Sequence, residues 1–119
     1  MAKQRAPRTR NNGTWTEARY WGFIRSALRS ASLRWGPKHE CRRRAKVSHG
    51  KYRCAACDGI FSRKDTQVDH IIPAGSLKKY DDLPGFVERE FCEVDGFQLL
   101  CKDCHQIKTN QEREERKSD

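Results

Sequence analysis

Apolar and polar residues follow different rhythms along the chain. Between residues 14 and 35, Tyr20, Ile24, Ala27, Leu28, Ala31 and Trp35 recur at helical spacing. That spacing predicts one helix with a single apolar stripe over about five turns. Thr14 or Thr16 stands where an N-cap is needed, and Glu17 follows in the first turn, where the helix dipole favours an acid. Gly36-Pro37 ends this helix, and Pro37 is placed to open a second, from about Lys38 to Val47, which Ser48-His49-Gly50 breaks.

From Tyr52 the pattern shortens. Tyr52 to Phe61 predicts a hairpin-like knuckle around Cys54-Ala55-Ala56-Cys57, with Asp58-Gly59 as its turn. Thr66-Gln67-Val68 predicts a short strand running into Asp69-His70, and Phe97-Gln98-Leu99-Leu100 a second. Residues 74–95 form a long connection in which Leu83 to Phe91 predicts a short helix, with Phe86, Val87 and Phe91 turned inward. A last helix is expected from about Lys102 to Arg116, fraying at its charged end. No repeat is present.

Short strands mixed with helices predict an α+β protein. The 119 residues suit one compact domain, but 35% hydrophobic against 34% charged residues is a thin supply of core, which a metal staple would relieve. The net charge of +9 is unevenly placed. Residues 1–53 carry 15 Lys or Arg against two acids, Glu17 and Glu40, while residues 54–119 carry 10 against 14. A basic first half favours a polyanion, and phosphate backbones are the usual one. Residues 1–13, with Lys3, Arg5, Arg8 and Arg10, are expected to be a disordered basic arm able to order on DNA. Residues 14–50 form a basic helical region and 51–119 the remainder. Arg25 and Arg29 lie one turn apart, and Arg42, Arg43 and Arg44 crowd the second helix; all five are candidate phosphate contacts or solvated charges.

No stretch approaches the roughly 18–20 apolar residues of a membrane span, so no membrane partner is expected. Met1 to Asn12 lacks the apolar run of a secretory signal. The expectation is a cytoplasmic, reducing compartment, where cysteines bind metal more readily than they form disulfides.

Of six cysteines, four fall in two CxxC pairs, Cys54/Cys57 and Cys101/Cys104. Two residues between thiolates let one turn aim both sulfurs at one ion, and two such turns complete a tetrahedral structural zinc site. The competing readings are chance pairs or a redox CxxC, which expects a thioredoxin-like βαβ pattern that is not seen. Cys41 and Cys92 read as small buried hydrophobes. His39 and His49 have no ligand-spaced partner and read as surface histidines.

Between the pairs lies further chemistry. Val68-Asp69-His70-Ile71-Ile72-Pro73 sets an acid beside an imidazole at a strand end. Cys104-His105-Gln106-Ile107-Lys108-Thr109 sets a second imidazole immediately after a zinc thiolate. Consecutive helix residues diverge by about 100°, so Cys104 can face zinc while His105 and Lys108 share another face.

The CAAC at 54–57, VDHIIP at 68–73 and LLCKDCHQIKT at 99–109 together resemble the HNH nuclease family, whose core is the ββα-metal (His-Me finger) fold. The resemblance covers roughly residues 52–110. The helical first half, with WGFIRSALRSASLRW, looks like phage-encoded members. The resemblance implies a metal-dependent DNA endonuclease. Asp69 and His105 would be ligands of one catalytic divalent cation, Mg²⁺ or Mn²⁺, and His70 the general base that deprotonates the attacking water. Lys108 would add charge near the scissile phosphate. The products would carry 5′-phosphate and 3′-hydroxyl ends, and one site per chain implies nicking by a monomer. A phage origin would place the protein in the host cytoplasm and admit other phage proteins as partners; sequence does not fix the oligomeric state. One position departs: Gly96 stands where relatives carry the middle Asn that braces the loop between the strands. Asp95, Gln98 or the packing of residues 74–95 are the candidates to take over. The alternative is a non-catalytic zinc-finger DNA-binding or regulatory protein, which Gly96 favours. A disulfide-rich secreted domain is a distant third.

Overall fold

The computed structural model describes residues 5–118. Lys3 of the expected arm lies outside the described residues. In chain order the elements are β1 (Arg8–Arg10), β2 (Trp15–Thr16), α1 (Glu17–Ser32), α2 (Gly36–Ala45), β3 (Lys46–Ser48), β4 (Lys51–Arg53), β5 (Ile60–Ser62), β6 (Thr66–His70), α3 (Leu83–Glu90), β7 (Phe97–Cys101) and α4 (Lys102–Ser118). The protein is therefore a small mixed α+β structure. The chain divides into two compact units, one made of residues up to Arg34 with Pro73–Phe91, the other of Trp35–Ile72 with Cys92 onward. The helical stretch grouped by sequence as 14–50 is thus shared, α1 going to the first unit and α2 to the second.

In the first unit Thr16 caps α1, its hydroxyl accepting from the Arg19 N–H at 3.2 Å. The apolar stripe is real but rotated from the expected one. Trp21 is its most buried member, with Tyr20, Ile24 and Leu28 beside it, while Ala27 is exposed and Trp35 lies beyond the helix. The cause is the partner surface: Leu77 and the fully buried Phe86 of α3 pack on Trp21. Val87, expected inside, is on the outer side of α3. The Ser32 hydroxyl donates to the buried Glu90 carboxylate at 2.8 Å. Arg8–Arg10, expected without structure, pairs with β2 through the turn Asn11-Asn12-Gly13, whose three residues all have positive φ.

In the second unit β3, β4 and β5 form an antiparallel sheet in that order. Lys46–Ser48, of which Lys46 and Val47 are expected as the end of a helix, is extended because it pairs with β4. Separately, β6 and β7 form an antiparallel ribbon in the register Thr66↔Cys101, Val68↔Leu99, Asp69↔Gln98 and His70↔Phe97. α4 follows β7 without a break. The core of this unit is small: Cys41, Cys54, Phe97, Leu99, Leu100 and Cys101 are its buried apolar residues. Polar ties supplement it. The Arg42 guanidinium of α2 donates to Thr66 of β6 at 2.8 Å and lies over the Tyr52 ring, and Trp35 Nε1 donates to the Cys92 carbonyl at 2.6 Å.

Candidate functional site

The knuckle between β4 and β5 is shaped by backbone bonds. The Cys54 N–H donates to the Gly59 carbonyl at 2.9 Å, the Asp58 N–H donates back to the Cys54 carbonyl at 3.0 Å, and Asp58 takes a left-handed φ of 61°. Gly59 has no room for a side chain: a Cβ would stand 2.7 Å from the Phe61 ring. The Ala55 N–H donates to the Leu99 carbonyl at 2.8 Å, which holds the knuckle against β7.

That contact brings the two CxxC pairs together. The sulfurs of Cys54, Cys57, Cys101 and Cys104 all lie within 4.8 Å of one another, and Cys57 and Cys101 are 4.0 Å apart. A tetrahedron of sulfurs around an ion at about 2.3 Å has edges of about 3.8 Å, so the cluster fits a structural metal such as zinc. The electrostatics agree. Burial alone would push Cys54 up, but backbone N–H groups of Cys57, Cys101 and Ala56 overcome it and bring the thiol down to about 6. Hydrogen bonding to Cys101, with burial, instead pushes Cys104 up to about 12. Four thiolates this close would repel one another, and a divalent cation would let them ionise together. Among the described residues, no other group of three or more potential ligands gathers in this way. His39 and His49 are exposed.

The second constellation is built on β6, β7 and α4. Side chains alternate along a strand, so Asp69 shares a face with its cross-strand partner Gln98, and His70 shares the other with Phe97. On α4, His105, Lys108 and Glu112 fall at i, i+3 and i+7, one face of the helix. Asp69 meets that face with its side chain only 14% exposed. Its two oxygens have different surroundings. Oδ1 is 3.5 Å from His105 Nε2, whereas Oδ2 is 3.0 Å from Lys108 Nζ and accepts from Gln98 Nε2 at 3.3 Å. One cation bonded at about 2.1 Å to each of two atoms can span separations up to roughly 4.2 Å, so Oδ1 and Nε2 fit a shared ion.

Lys108 also donates to the His70 carbonyl at 3.0 Å and pairs with Glu112. Burial works against its ammonium, but the bonds to Glu112 and Asp69 outweigh burial and raise its pKa above the ordinary lysine value. The half-buried His70 ring packs on Phe97, with centroids 4.9 Å apart. The Ile71 N–H donates to the Gly96 carbonyl at 2.9 Å. At Gly96 the reason for glycine is Cys92: a Cβ there would stand 2.5 Å from Cys92 Sγ. The first atom of any side chain at position 96 therefore meets Cys92. Gln98, a candidate replacement, binds Asp69.

The candidate phosphate contacts divide by surroundings. Arg29 is exposed. Arg43 and Arg44 are exposed and both pair with Glu40, at 2.7 and 3.0 Å. Arg25 packs over Phe86, and its Nε is buried with no hydrogen-bond partner among the described residues. Arg42 is turned inward, where burial, with Arg63 nearby, pulls its pKa below the usual arginine value.

Glu112 was not singled out from sequence, although its spacing from His105 and Lys108 is a readable signal. No helix among the described residues is long and apolar enough to cross a membrane. Compared with known proteins the chain finds no match, whether to a family model, a curated protein or a solved structure.

Proposed function

We propose that the protein is a metal-dependent HNH-type endonuclease that hydrolyses DNA phosphodiester bonds, with β6, β7 and α4 as its ββα-metal core. The observation that carries this reading is the approach of Asp69 Oδ1 to His105 Nε2, 3.5 Å, on the ribbon and helix that also present two of the four clustered cysteines. Asp69 and His105 hold the catalytic cation, Mg²⁺ or Mn²⁺, because a carboxylate and one imidazole leave positions open for oxygen ligands. Such a cation supplies positive charge to a phosphate oxygen and to the leaving 3′ oxygen. His70 accepts the proton of the attacking water, the general-base role that a positioned imidazole nitrogen can fill. The four cysteines hold a structural zinc that ties the knuckle to α4. The basic first half, with 15 Lys or Arg against two acids in residues 1–53, supplies backbone affinity for DNA. One site per chain makes nicking the expected product for a monomer, with 5′-phosphate and 3′-hydroxyl ends.

A second reading, a non-catalytic zinc-finger DNA-binding or regulatory protein, is favoured by one observation. The Lys108 ammonium, 3.0 Å from Asp69, already neutralises the carboxylate that would hold a cation. A supercoiled-plasmid assay separates the two. Zinc-loaded protein is incubated with Mg²⁺, Mn²⁺ or no added metal, and His70→Ala is run alongside. The expected result is metal-dependent conversion to nicked circles, lost in His70→Ala with zinc content and DNA binding intact. Retained binding without cleavage under either metal would select the second reading.

A further inference from the structure

An ammonium group has three N–H donors and no acceptor. Lys108 meets three acceptors: Asp69 Oδ2 at 3.0 Å, the His70 carbonyl at 3.0 Å and the Glu112 carboxylate. Its donors are therefore used within the protein. The His70 carbonyl and the Ile71 N–H belong to one peptide group. That group is held on both edges, by Lys108 on the oxygen and by the Gly96 carbonyl on the N–H. Fixing this plane fixes ψ of His70 and with it the base from which the imidazole projects. Gly96 contributes only backbone here, since Cys92 occupies the place of a side chain. The brace on the carbonyl comes instead from α4.

We infer that Lys108, anchored by Glu112, is a positioning residue: it orients Asp69 through Oδ2 and fixes the His70 peptide, the task that a side chain at position 96 does not perform. The inference rests on the endonuclease reading for its kinetic consequence, but the brace itself is independent of it. It also differs from the sequence expectation, in which Lys108 contacts phosphate. A group that orients a ligand and a base affects turnover, typically by about 10–100-fold. A phosphate contact affects DNA affinity and its salt dependence.

The test compares zinc-loaded wild type with Lys108→Met, which keeps length and removes the donors, and Glu112→Gln, which weakens the anchor. Without any catalytic metal, the His70 carbonyl ¹³C resonance is expected to move in Lys108→Met and, by less, in Glu112→Gln. In plasmid cleavage, kcat is expected to fall by about 10–100-fold in Lys108→Met, with KM for DNA and the salt slope of binding unchanged. An unmoved His70 carbonyl in both variants would overturn the brace. So would a salt slope lower by about one unit with kcat retained, which is the signature of a phosphate contact. If wild type cuts nothing, the endonuclease reading fails while the carbonyl resonance still decides the brace. If Lys108→Met does not fold, Glu112→Gln carries both readouts.

Discussion

Gly96 offers the sharpest structural prediction, because its neighbour states a reason for it in ångströms. A Cβ at position 96 would stand 2.5 Å from Cys92 Sγ and 3.1 Å from Cys92 Cβ. Comfortable contact between such atoms is roughly 3.5–4.0 Å, so Gly96→Ala creates an overlap of about 1 Å. Strain of this kind costs about 1–3 kcal/mol. Gly96 does not have a positive φ, so alanine meets no backbone penalty. Losing glycine's freedom in the unfolded chain returns about 0.4–1 kcal/mol. The expected net loss is therefore about 0.5–2 kcal/mol, or several degrees in Tm, at roughly 3–6 °C per kcal/mol for this chain length.

Repeating the substitution in a Cys92→Ala background removes the sulfur and leaves only the 3.1 Å contact, which a shift of a few tenths of an ångström relieves. There Gly96→Ala should cost nothing or stabilise slightly, a coupling of about 1–2 kcal/mol between neighbours. The assay is denaturant unfolding of the four proteins, saturated with zinc and kept reduced. Equal cost of Gly96→Ala in both backgrounds, within about 0.5 kcal/mol, would refute the claim that Cys92 is why residue 96 is glycine. Gly96→Asn, the residue the HNH resemblance expects, should be tolerated only in the relieved background.

Three further outcomes follow from the same geometry. Purified protein should bind one zinc per chain, its cobalt form should show the absorption of a tetrahedral thiolate site, and chelation should unfold the second unit, as measured by circular dichroism. Arg42→Ala should lose about 1–2 kcal/mol through the lost bond to buried Thr66. It should leave the salt slope of DNA binding unchanged, since Arg42 is turned inward. Glu40 is held below the ordinary carboxylate range by hydrogen bonds from Arg43 and then Arg44. Its small contribution is therefore present above the unfolded-state pKa of about 4.3 and lost as pH falls through the lower folded value. The Tm difference between wild type and Glu40→Gln should accordingly be present at pH 7 and shrink as pH falls below about 4.3.

What the sequence revealed depended on how local each cause is. Helix starts, the knuckle and both strands of the β6–β7 ribbon were legible because caps, turn residues and alternation act over a few positions. The fold of Lys46–Ser48 was not, since its extended form comes from pairing with β4 rather than from its own residues. The stripe on α1 was misplaced by about one residue for the same reason: Leu77 and Phe86, more than fifty positions away, choose Trp21 as its centre. The Asn11-Asn12-Gly13 turn carries a local signal, three residues suited to positive φ, which the surrounding basic charge masks. At the candidate site, the shared helix face of His105 and Lys108 was readable from their i, i+3 spacing. The inward turn of Arg42 was not, because it needs Thr66 of β6 as acceptor.

The spacing of the candidate site follows from one origin. Thr66 and Cys101 face each other at one end of the ribbon, and α4 departs from Cys101. Asp69 lies three residues along β6, about 10 Å at strand rise. Lys108 lies seven residues along α4 beyond Cys101, about 10.5 Å at helical rise. Two elements of different pitch thus reach the same height, and there Lys108 meets Asp69 at 3.0 Å. Height alone does not set which side chains meet; the rotation of α4 does. With Cys101 and Cys104 both directed to one four-cysteine cluster, that rotation is set at the first turn, and His105, one residue on, inherits its direction toward Asp69. With so few buried apolar residues among those described, the cysteine cluster sets the phase of the helix that carries His105 and Lys108.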